Sequence, residues 1–173
     1  DSVDGGAGAD TLNVTASGGI DSAANVAGAL ITNVETINIR AVTSPAAGID
    51  DTTFDAINTS GVTALNSTNS TDTVVFTNAP AAASIGMSGN NAITLGDVSF
   101  GYATATTAPV INISGGTKAD TGTDITNTAN GAASATINST GEKNAVDVVT
   151  LSGNASIATV TIIATTGLTL GAA

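Results

Sequence analysis

The sequence contains no cysteine, histidine or tryptophan, and it has one tyrosine and three phenylalanines in 173 residues. Without cysteine the fold cannot rely on disulfides or hold a metal through thiolates. Catalysis usually needs a histidine, an activated cysteine, a lysine of lowered pKa or a carboxylate pair, and the first two are missing. The lysines, Lys118 and Lys143, lie in turn-like segments where we expect them to be solvated. We therefore predict that the chain is not an enzyme.

Basic residues are equally scarce, with three against fourteen acidic ones and a net charge of −11. This balance argues against binding of nucleic acid and of anionic membranes. No run of eighteen apolar residues predicts insertion into a membrane, and no basic segment followed by an apolar one opens the chain. Twelve of the fourteen acids are aspartate, which suits turns and calcium loops.

What the sequence does contain is typical of β structure. It is 42% hydrophobic, its mean hydropathy is +0.32, and valine, isoleucine and threonine are abundant. Short alternating segments recur between glycine, asparagine and serine turns, which predicts an all-β parallel β-solenoid with a repeat of roughly 20–25 residues. An Ig-like β-sandwich is the alternative, although the usual buried tryptophan is missing.

Local patterns place the individual strands. A strand is predicted over residues 30–39, with a bend near Glu35 that splits it. Residues 43–55 are predicted to form a loop, and residues 115–133 are predicted to be largely irregular. The remaining strands are predicted at 57–59, 62–65, 73–77, 84–87, 92–95, 98–100, 110–113, 158–162 and 167–171.

One internal repeat supports the solenoid. Residues 64–68 and 72–76 parallel residues 136–140 and 147–151, since each pair is a strand, an Asn-Ser-Thr turn, an insertion, and a second strand opened by aspartate. Strands in fixed order with turns of variable length are typical of stacked solenoid repeats.

The opening of the chain carries the most specific motif. From Gly5 it fits the nonapeptide G-G-x-G-x-D-x-U-x that binds calcium in parallel β-rolls, with Asp10 at the acidic position and Leu12 at the apolar one. The glycines permit a turn of converging carbonyls, and with Asp10 they supply roughly half of a calcium shell. In this register Asp1 falls on the acidic position of a preceding repeat, so we expect the chain to be cut within an array. The alternative is a metal-free Asp/Gly turn.

Two further acidic groups are candidates. Asp50, Asp51 and Asp55 form either a carboxylate cluster, for acid/base chemistry or a second calcium ion, or a solvated acidic loop. Residues 115–120 resemble a degenerate copy of the opening motif in which Lys118 replaces the third glycine. There, Asp120 and Asp124 are within reach of a cation.

Two other features have ordinary interpretations. Tyr102, beside Phe100, is the single candidate for an aromatic sugar platform, and we assign it instead to packing. Asn-x-Ser/Thr sequences arise by composition in a chain so rich in these residues, and are not evidence for glycans. They occur at Asn13, Asn58, Asn66, Asn69, Asn112, Asn138 and Asn154.

The succession VDGGAGADTLN (3–13), ITNVETINI (31–39) and SGVTALN (60–66) resembles the surface-layer proteins of Gram-negative bacteria, of the Caulobacter type. These are secreted proteins that carry RTX calcium-binding repeats. The resemblance implies an RTX-like repeat over residues 1–14, followed by a continuous Thr/Ala/Ser-rich β-solenoid over residues 15–173 in one domain. It also implies calcium ligands at Gly6, Gly8 and Asp10, with Asp1 and Asp4 as contributors.

The function implied is a calcium-stabilised structural module of a self-assembling layer on the cell surface. Its partners are then other copies of the chain, and cell-surface polysaccharide bound through regions outside this segment. One alternative is a stalk or ligand-binding segment of a large RTX adhesin. Another is the β-roll of an exported RTX enzyme whose catalytic domain lies elsewhere.

Overall fold

The computed structural model describes residues 1–17, 24–25, 29–42, 51–104, 107–117, 123–128, 131–151 and 157–171. Within these residues, eighteen strands form four parallel sheets. Two long sheets run the length of the molecule, a three-stranded sheet lies beside them at the N-terminal end, and a two-stranded sheet lies at the C-terminal end. Apart from one 3-10 turn at Ala56–Asn58, these regions contain no helix.

Each sheet is described by its strands in spatial order. The seven-stranded sheet contains β17 (Thr159–Ala164), β14 (Ser134–Thr140), β12 (Val110–Ser114), β10 (Ser84–Ser88), β8 (Ala64–Thr68), β5 (Thr36–Val42) and β2 (Thr11–Ser17). The six-stranded sheet contains β16 (Val149–Leu151), β13 (Ile125–Asn127), β11 (Val98–Tyr102), β9 (Val74–Ala79), β6 (Thr52–Asp55) and β3 (Ala24–Asn25). The smaller sheets contain β1 (Ser2–Asp4), β4 (Leu30–Thr32) and β7 (Thr59–Ser60), and β15 (Asn144–Val146) with β18 (Leu168–Leu170).

The chain visits the two long sheets alternately, and we call one such circuit a rung. Equivalent positions stack in columns along the sheet, and every strand pair in the described regions is parallel. This confirms the predicted β-solenoid and excludes the antiparallel sandwich. The repeat is 20 to 28 residues, so its upper limit exceeds the predicted value of roughly 20–25. It is seen in one inward column: Leu12, Ile37, Leu65, Ile85, Ile111, Ile137 and Ile162.

The core lies between the long sheets and is formed by inward columns of aliphatic side chains. All three phenylalanines are buried there, and Phe54, Phe76 and Phe100 occupy successive places in one column of the six-stranded sheet. The rings of Phe54 and Phe76 meet edge to face with centroids 6.4 Å apart. One inward column of the six-stranded sheet is therefore aromatic.

Buried polar side chains hold the corners where the chain leaves the seven-stranded sheet. Asn144 Oδ1 accepts hydrogen bonds from the N–H groups of Gly116 and Thr117, at 3.0 and 3.1 Å, and its Nδ2 donates to Ser139 Oγ at 2.9 Å. Ser70 Oγ likewise accepts from the N–H of Ala41 at 3.1 Å. These contacts satisfy main-chain groups that would otherwise be buried without partners.

Most strand predictions are confirmed. Strand 30–39 is indeed split, into β4 and β5, around Asn33 with φ 54°. The prediction for 57–59 is wrong because a 3-10 turn covers 56–58, and that for 62–65 is displaced to β8. Residues 92–95 contain no strand, since Asn90 Oδ1 accepts from the N–H of Ala92 at 3.0 Å in a local turn.

Two segments predicted as irregular contain strands. Strand β6 occupies the end of the predicted 43–55 loop, because Phe54 adds a ring to the aromatic column. Strand β13 falls in the predicted irregular stretch, where Ile125 continues the column of Val74 and Val98. The alignment of the internal repeat is confirmed, since Leu65 and Ile137 share one column and Val74 and Val149 share another. The predicted Asn-Ser-Thr turns are wrong, because residues 66–68 and 138–140 continue strands β8 and β14.

Candidate functional site

The predicted calcium turn joins β1 to β2. Gly6 and Gly8 have φ of 85° and 131°, a region of backbone space that favours glycine. Gly5 is needed for a different reason, because a Cβ there would lie 2.0 Å from the carbonyl oxygen of Asn33. The three glycines thus permit a tight turn packed directly on the backbone of the next rung.

Asp4 stabilises this turn through hydrogen bonds. Its Oδ1 accepts from Asn33 Nδ2 at 2.9 Å and from the N–H of Gly6 at 3.0 Å. The bond from Asn33, and to a lesser extent the bond from Gly6, holds the pKa of the exposed Asp4 carboxyl below its usual value. Asp4 therefore links the first two rungs and stays ionised.

Asp10 lies at the end of the turn and is half-buried. Its N–H donates to Glu35 Oε2 at 2.7 Å, and its carbonyl accepts from the N–H of Thr36 at 3.1 Å. Its own Oδ2 is buried without a hydrogen-bond partner, on the side facing Gly8. A buried carboxylate oxygen with no donor is costly unless a cation or another donor compensates it.

The Asp10 oxygen without a partner and the Glu35 carboxylate that accepts from the Asp10 N–H are oxygen ligands of the type that calcium prefers. No group of three or more acidic, histidine or cysteine side chains converges within the described regions. Asp1 is exposed, and its carbonyl accepts from the N–H of Leu30 at 3.2 Å.

Comparison with known proteins does not place the chain. No protein-family model, no curated protein and no solved structure matches it. Among the described residues no helix is long and apolar enough to cross a membrane. We therefore infer the function from the residues themselves.

Glu35 was not among the residues expected at this site. Its side chain contacts Asp10, and its carbonyl accepts from the N–H groups of Thr63 and Ala64 at 2.8 and 3.0 Å, so it joins three rungs. The sequence feature that could have indicated Glu35 is its separation from Asp10 along the chain. Twenty-five residues separate them, the same offset that pairs Thr11 with Thr36.

Asp51 and Asp55, from the second predicted acidic group, lie at opposite ends of strand β6. Asp51 precedes β6 and Asp55 ends it, and Asp55 Oδ1 accepts from the N–H of Ile57 at 3.0 Å and from Asn78 Nδ2 at 2.8 Å. Asp55 is thus a capping residue. Asp50 and Asp120 lie outside the described residues.

Asp51 and Asp124 instead belong to an acidic edge with Asp97, at the starts of strands in the six-stranded sheet. The N–H of Asp124 donates to Asp97 Oδ1 at 2.8 Å. Burial raises the pKa of Asp97, and the charges of Asp124 and Asp51 raise it further, whereas that hydrogen bond opposes the shift. The sequence could not pair these acids, because their proximity depends on strand register.

The remaining candidates have structural contacts. The Tyr102 hydroxyl donates to the carbonyl of Ala83 at 3.0 Å, and its ring packs edge to face on Phe100. Burial raises the pKa of Tyr102 to about 12, consistent with packing. Gly115 and Gly116, with φ of 75° and 81°, form a turn against Gly89 and Asn91.

Apolar side chains are incompletely covered at both ends of the seven-stranded sheet. At one end, β17 exposes Val160, Ile162 and Ile163 at 45%, 51% and 51%. Val160 and Ile162 continue inward columns, and their direct neighbours Ala135 and Ile137 are each 2% exposed. At the other end, Leu12 and Val14 of β2 are only partly covered.

Proposed function

We propose that this chain is a structural module that stacks end to end with copies of itself, with its first turn ordered by calcium. The setting that the sequence resemblance implies is a self-assembling layer on the outer surface of a bacterial cell. No catalytic step is part of this function. The proposal rests mainly on the chemistry of the two ends of the seven-stranded sheet.

The observation that carries the proposal is the exposure of core-column side chains on β17. Ile162 occupies the same column as Ile137 and Ile111, yet half of its surface is exposed. Among the described strands none pairs with the other edge of β17, so a further rung placed there would bury this surface and pair that edge. Free apolar edges are otherwise sites of uncontrolled association.

The opposite end of the same sheet is a suitable partner for that edge. If β2 of one copy pairs in register with β17 of another, Leu12 falls on Ile162 and Thr11 falls on Thr161, as the columns already run through the sheet. Such head-to-tail contacts do not close on themselves, so they extend into linear assemblies. The module would thus extend its own sheet.

Calcium supplies positive charge at the end that carries β2. Each copy has a net charge of −11, which repels its neighbours, and Asp1, Asp4 and Asp10 all lie in the first rung. An ion held by Asp10, Glu35 and main-chain carbonyls of the glycine turn would compensate the buried Asp10 oxygen. It would also fix the turn that positions β2.

The experiment is a thermal melt followed by far-ultraviolet circular dichroism, with millimolar calcium and then with excess chelator. We expect calcium to raise the melting temperature, because an ion that binds the folded state stabilises it by mass action. Asp10→Asn should lose most of this rise. An equal melting temperature with calcium and with chelator would remove calcium from the proposed function.

A further inference from the structure

A ladder of asparagine side chains runs along the outer face of the seven-stranded sheet. Asn38 Nδ2 donates to Asn13 Oδ1 at 2.8 Å, and Asn66 Nδ2 donates to Asn38 Oδ1 at 2.9 Å. Farther along, Asn138 Nδ2 donates to Asn112 Oδ1 at 2.8 Å. Each of these bonds has the same direction, from one rung to the preceding one, and such amide ladders stabilise parallel stacks.

The ladder is interrupted at one place. Gly86 takes the asparagine position in the rung between Asn66 and Asn112. Asn66 Oδ1 therefore has no asparagine to accept from, and Asn112 Nδ2 has none to donate to. Within the described regions Asn112 Nδ2 donates to no protein atom. At the interruption, the acceptor Asn66 Oδ1 of one half of the ladder therefore faces the donor Asn112 Nδ2 of the other half.

The interruption is also a space. A surface pocket of about 320 Å³ lies over Gly86, in the size range of small-ligand sites. The pocket is lined by side-chain amides of the ladder and by hydroxyl groups. Its lining includes Asn66, Gly86 and Asn112, together with Thr68, Ser88 and Ser114.

We propose that this pocket binds the primary carboxamide of a ligand, of the kind carried by asparagine and glutamine side chains. Asn66 and Asn112 are two strand spacings apart, about 9–10 Å, and the Asn66 amide leans over Gly86, so the ligand amide would lie between Asn66 Oδ1 and Asn112 Nδ2. Its oxygen would accept from Asn112 Nδ2 and its N–H would donate to Asn66 Oδ1. The ligand thus takes the place of the missing asparagine.

The same geometry discriminates against charged groups. A carboxylate has no donor for Asn66 Oδ1 and is repelled by the net charge of −11. An ammonium has no acceptor for Asn112 Nδ2. A group that is both donor and acceptor, in a planar unit the size of an amide, satisfies both sides.

The test is a titration of isotopically labelled protein followed by NMR, with Gly-Asn-Gly and Gly-Asp-Gly peptides that are acetylated at the N-terminus and N-methylamidated at the C-terminus, so that only the Asn side chain carries a primary carboxamide. We expect the Asn peptide to shift the side-chain NH₂ signals of Asn66 and Asn112, and the Asp peptide to bind at least about tenfold more weakly, as expected when a polar partner is left unpaired. Equal shifts with both peptides, or none with either, would overturn the proposal.

Variants make the test specific. Gly86→Asn completes the ladder once the Asn66 amide swings out of the space that Cβ needs, so binding should be lost and the melting temperature should rise by a few degrees. Asn112→Asp keeps the acceptor for Asn138 and replaces the donor facing the pocket with a negatively charged acceptor, so binding should also be lost even if Gly86→Asn fails to fold. Asn13→Ala, at the far end of the ladder, should bind the Asn peptide normally. Binding that persists in Asn112→Asp would contradict the proposal.

Discussion

The main-chain N–H of Asp10 donates a 2.7 Å hydrogen bond to the carboxylate of Glu35, one rung farther along the solenoid. The bond holds a second negative charge beside an aspartate whose Oδ2 is buried without a partner. A buried carboxylate oxygen without a donor is unfavourable, and a divalent cation bound by Asp10 and Glu35 would compensate it. The first prediction follows from this pair.

Glu35→Gln keeps an oxygen acceptor for the Asp10 N–H but removes one charge from the site. We expect calcium affinity, measured by isothermal titration calorimetry, to fall by about 10-fold to 100-fold, the usual range for altered metal-site partners. In chelator the variant should melt at the wild-type temperature or above it.

The matched control is Glu142→Gln, which removes the only other glutamate, an exposed one. It should leave calcium affinity unchanged. If both variants lower the affinity equally, the effect is one of net charge, and Glu35 has no specific part in binding.

Gly5→Ala tests the close packing of the turn. A Cβ at this position would lie 2.0 Å from the Asn33 carbonyl oxygen, and backbone cannot move aside as a side chain can. We expect a loss of about 1–3 kcal/mol in the free energy of unfolding, as for other overpacked sites. Urea denaturation measures it, and the exposed Ala7→Ser should change stability by less than about 0.5 kcal/mol. A neutral Gly5→Ala would mean that the turn is not held against Asn33.

Asp97→Asn tests the acidic edge through its pH dependence. The pKa of Asp97 is raised from 3.8, mainly by burial, so the folded state holds its proton to higher pH than the unfolded state. Ionisation of Asp97 therefore destabilises the folded state as pH rises from 3.8 through the raised pKa. The full loss of stability is present at neutral pH. The variant keeps an acceptor for the Asp124 N–H.

Thermal melts at several pH values should show Asp97→Asn more stable than the wild type at pH 7 and equal to it near pH 3. Asp4→Asn should behave in the opposite way, because hydrogen bonds lower the pKa of Asp4. The stability that Asp4 contributes is present above pH 3.8 and is lost as pH falls below it. A constant difference at all pH values would show that titration of Asp97 is not the cause.

The sequence predicted the architecture because alternation and turn residues are local signals. Val160 and Ile162 alternate with threonines, so β17 could be predicted without knowing its neighbours. Strand β6 could not, because its pairing with β9 through Phe54 and Phe76 outweighs the turn-forming residues that precede it. Which strands pair between rungs cannot be predicted from a short stretch of sequence.

The same limit applies to the sites. Asp10 belongs to a contiguous motif, whereas Glu35 is connected to it only by the register of β2 and β5. Three members of the asparagine ladder, Asn66, Asn112 and Asn138, each begin an Asn-x-Ser/Thr triplet. Such triplets also arise by composition in this chain, so they do not by themselves predict a ladder. Their stacking, and the interruption at Gly86, depend on the lengths of the connecting turns.

The most direct test of end-to-end stacking is sedimentation velocity at increasing protein concentration, in calcium and in chelator, on the wild type, Ile162→Lys and Ile163→Lys. The two isoleucines are equally exposed, at 51%, but only Ile162 continues an inward column. We expect larger species at higher concentration for the wild type and Ile163→Lys in calcium only, and a monomer for Ile162→Lys throughout. A wild type that stays monomeric in calcium, or an Ile162→Lys variant that associates like the wild type, would contradict end-to-end stacking.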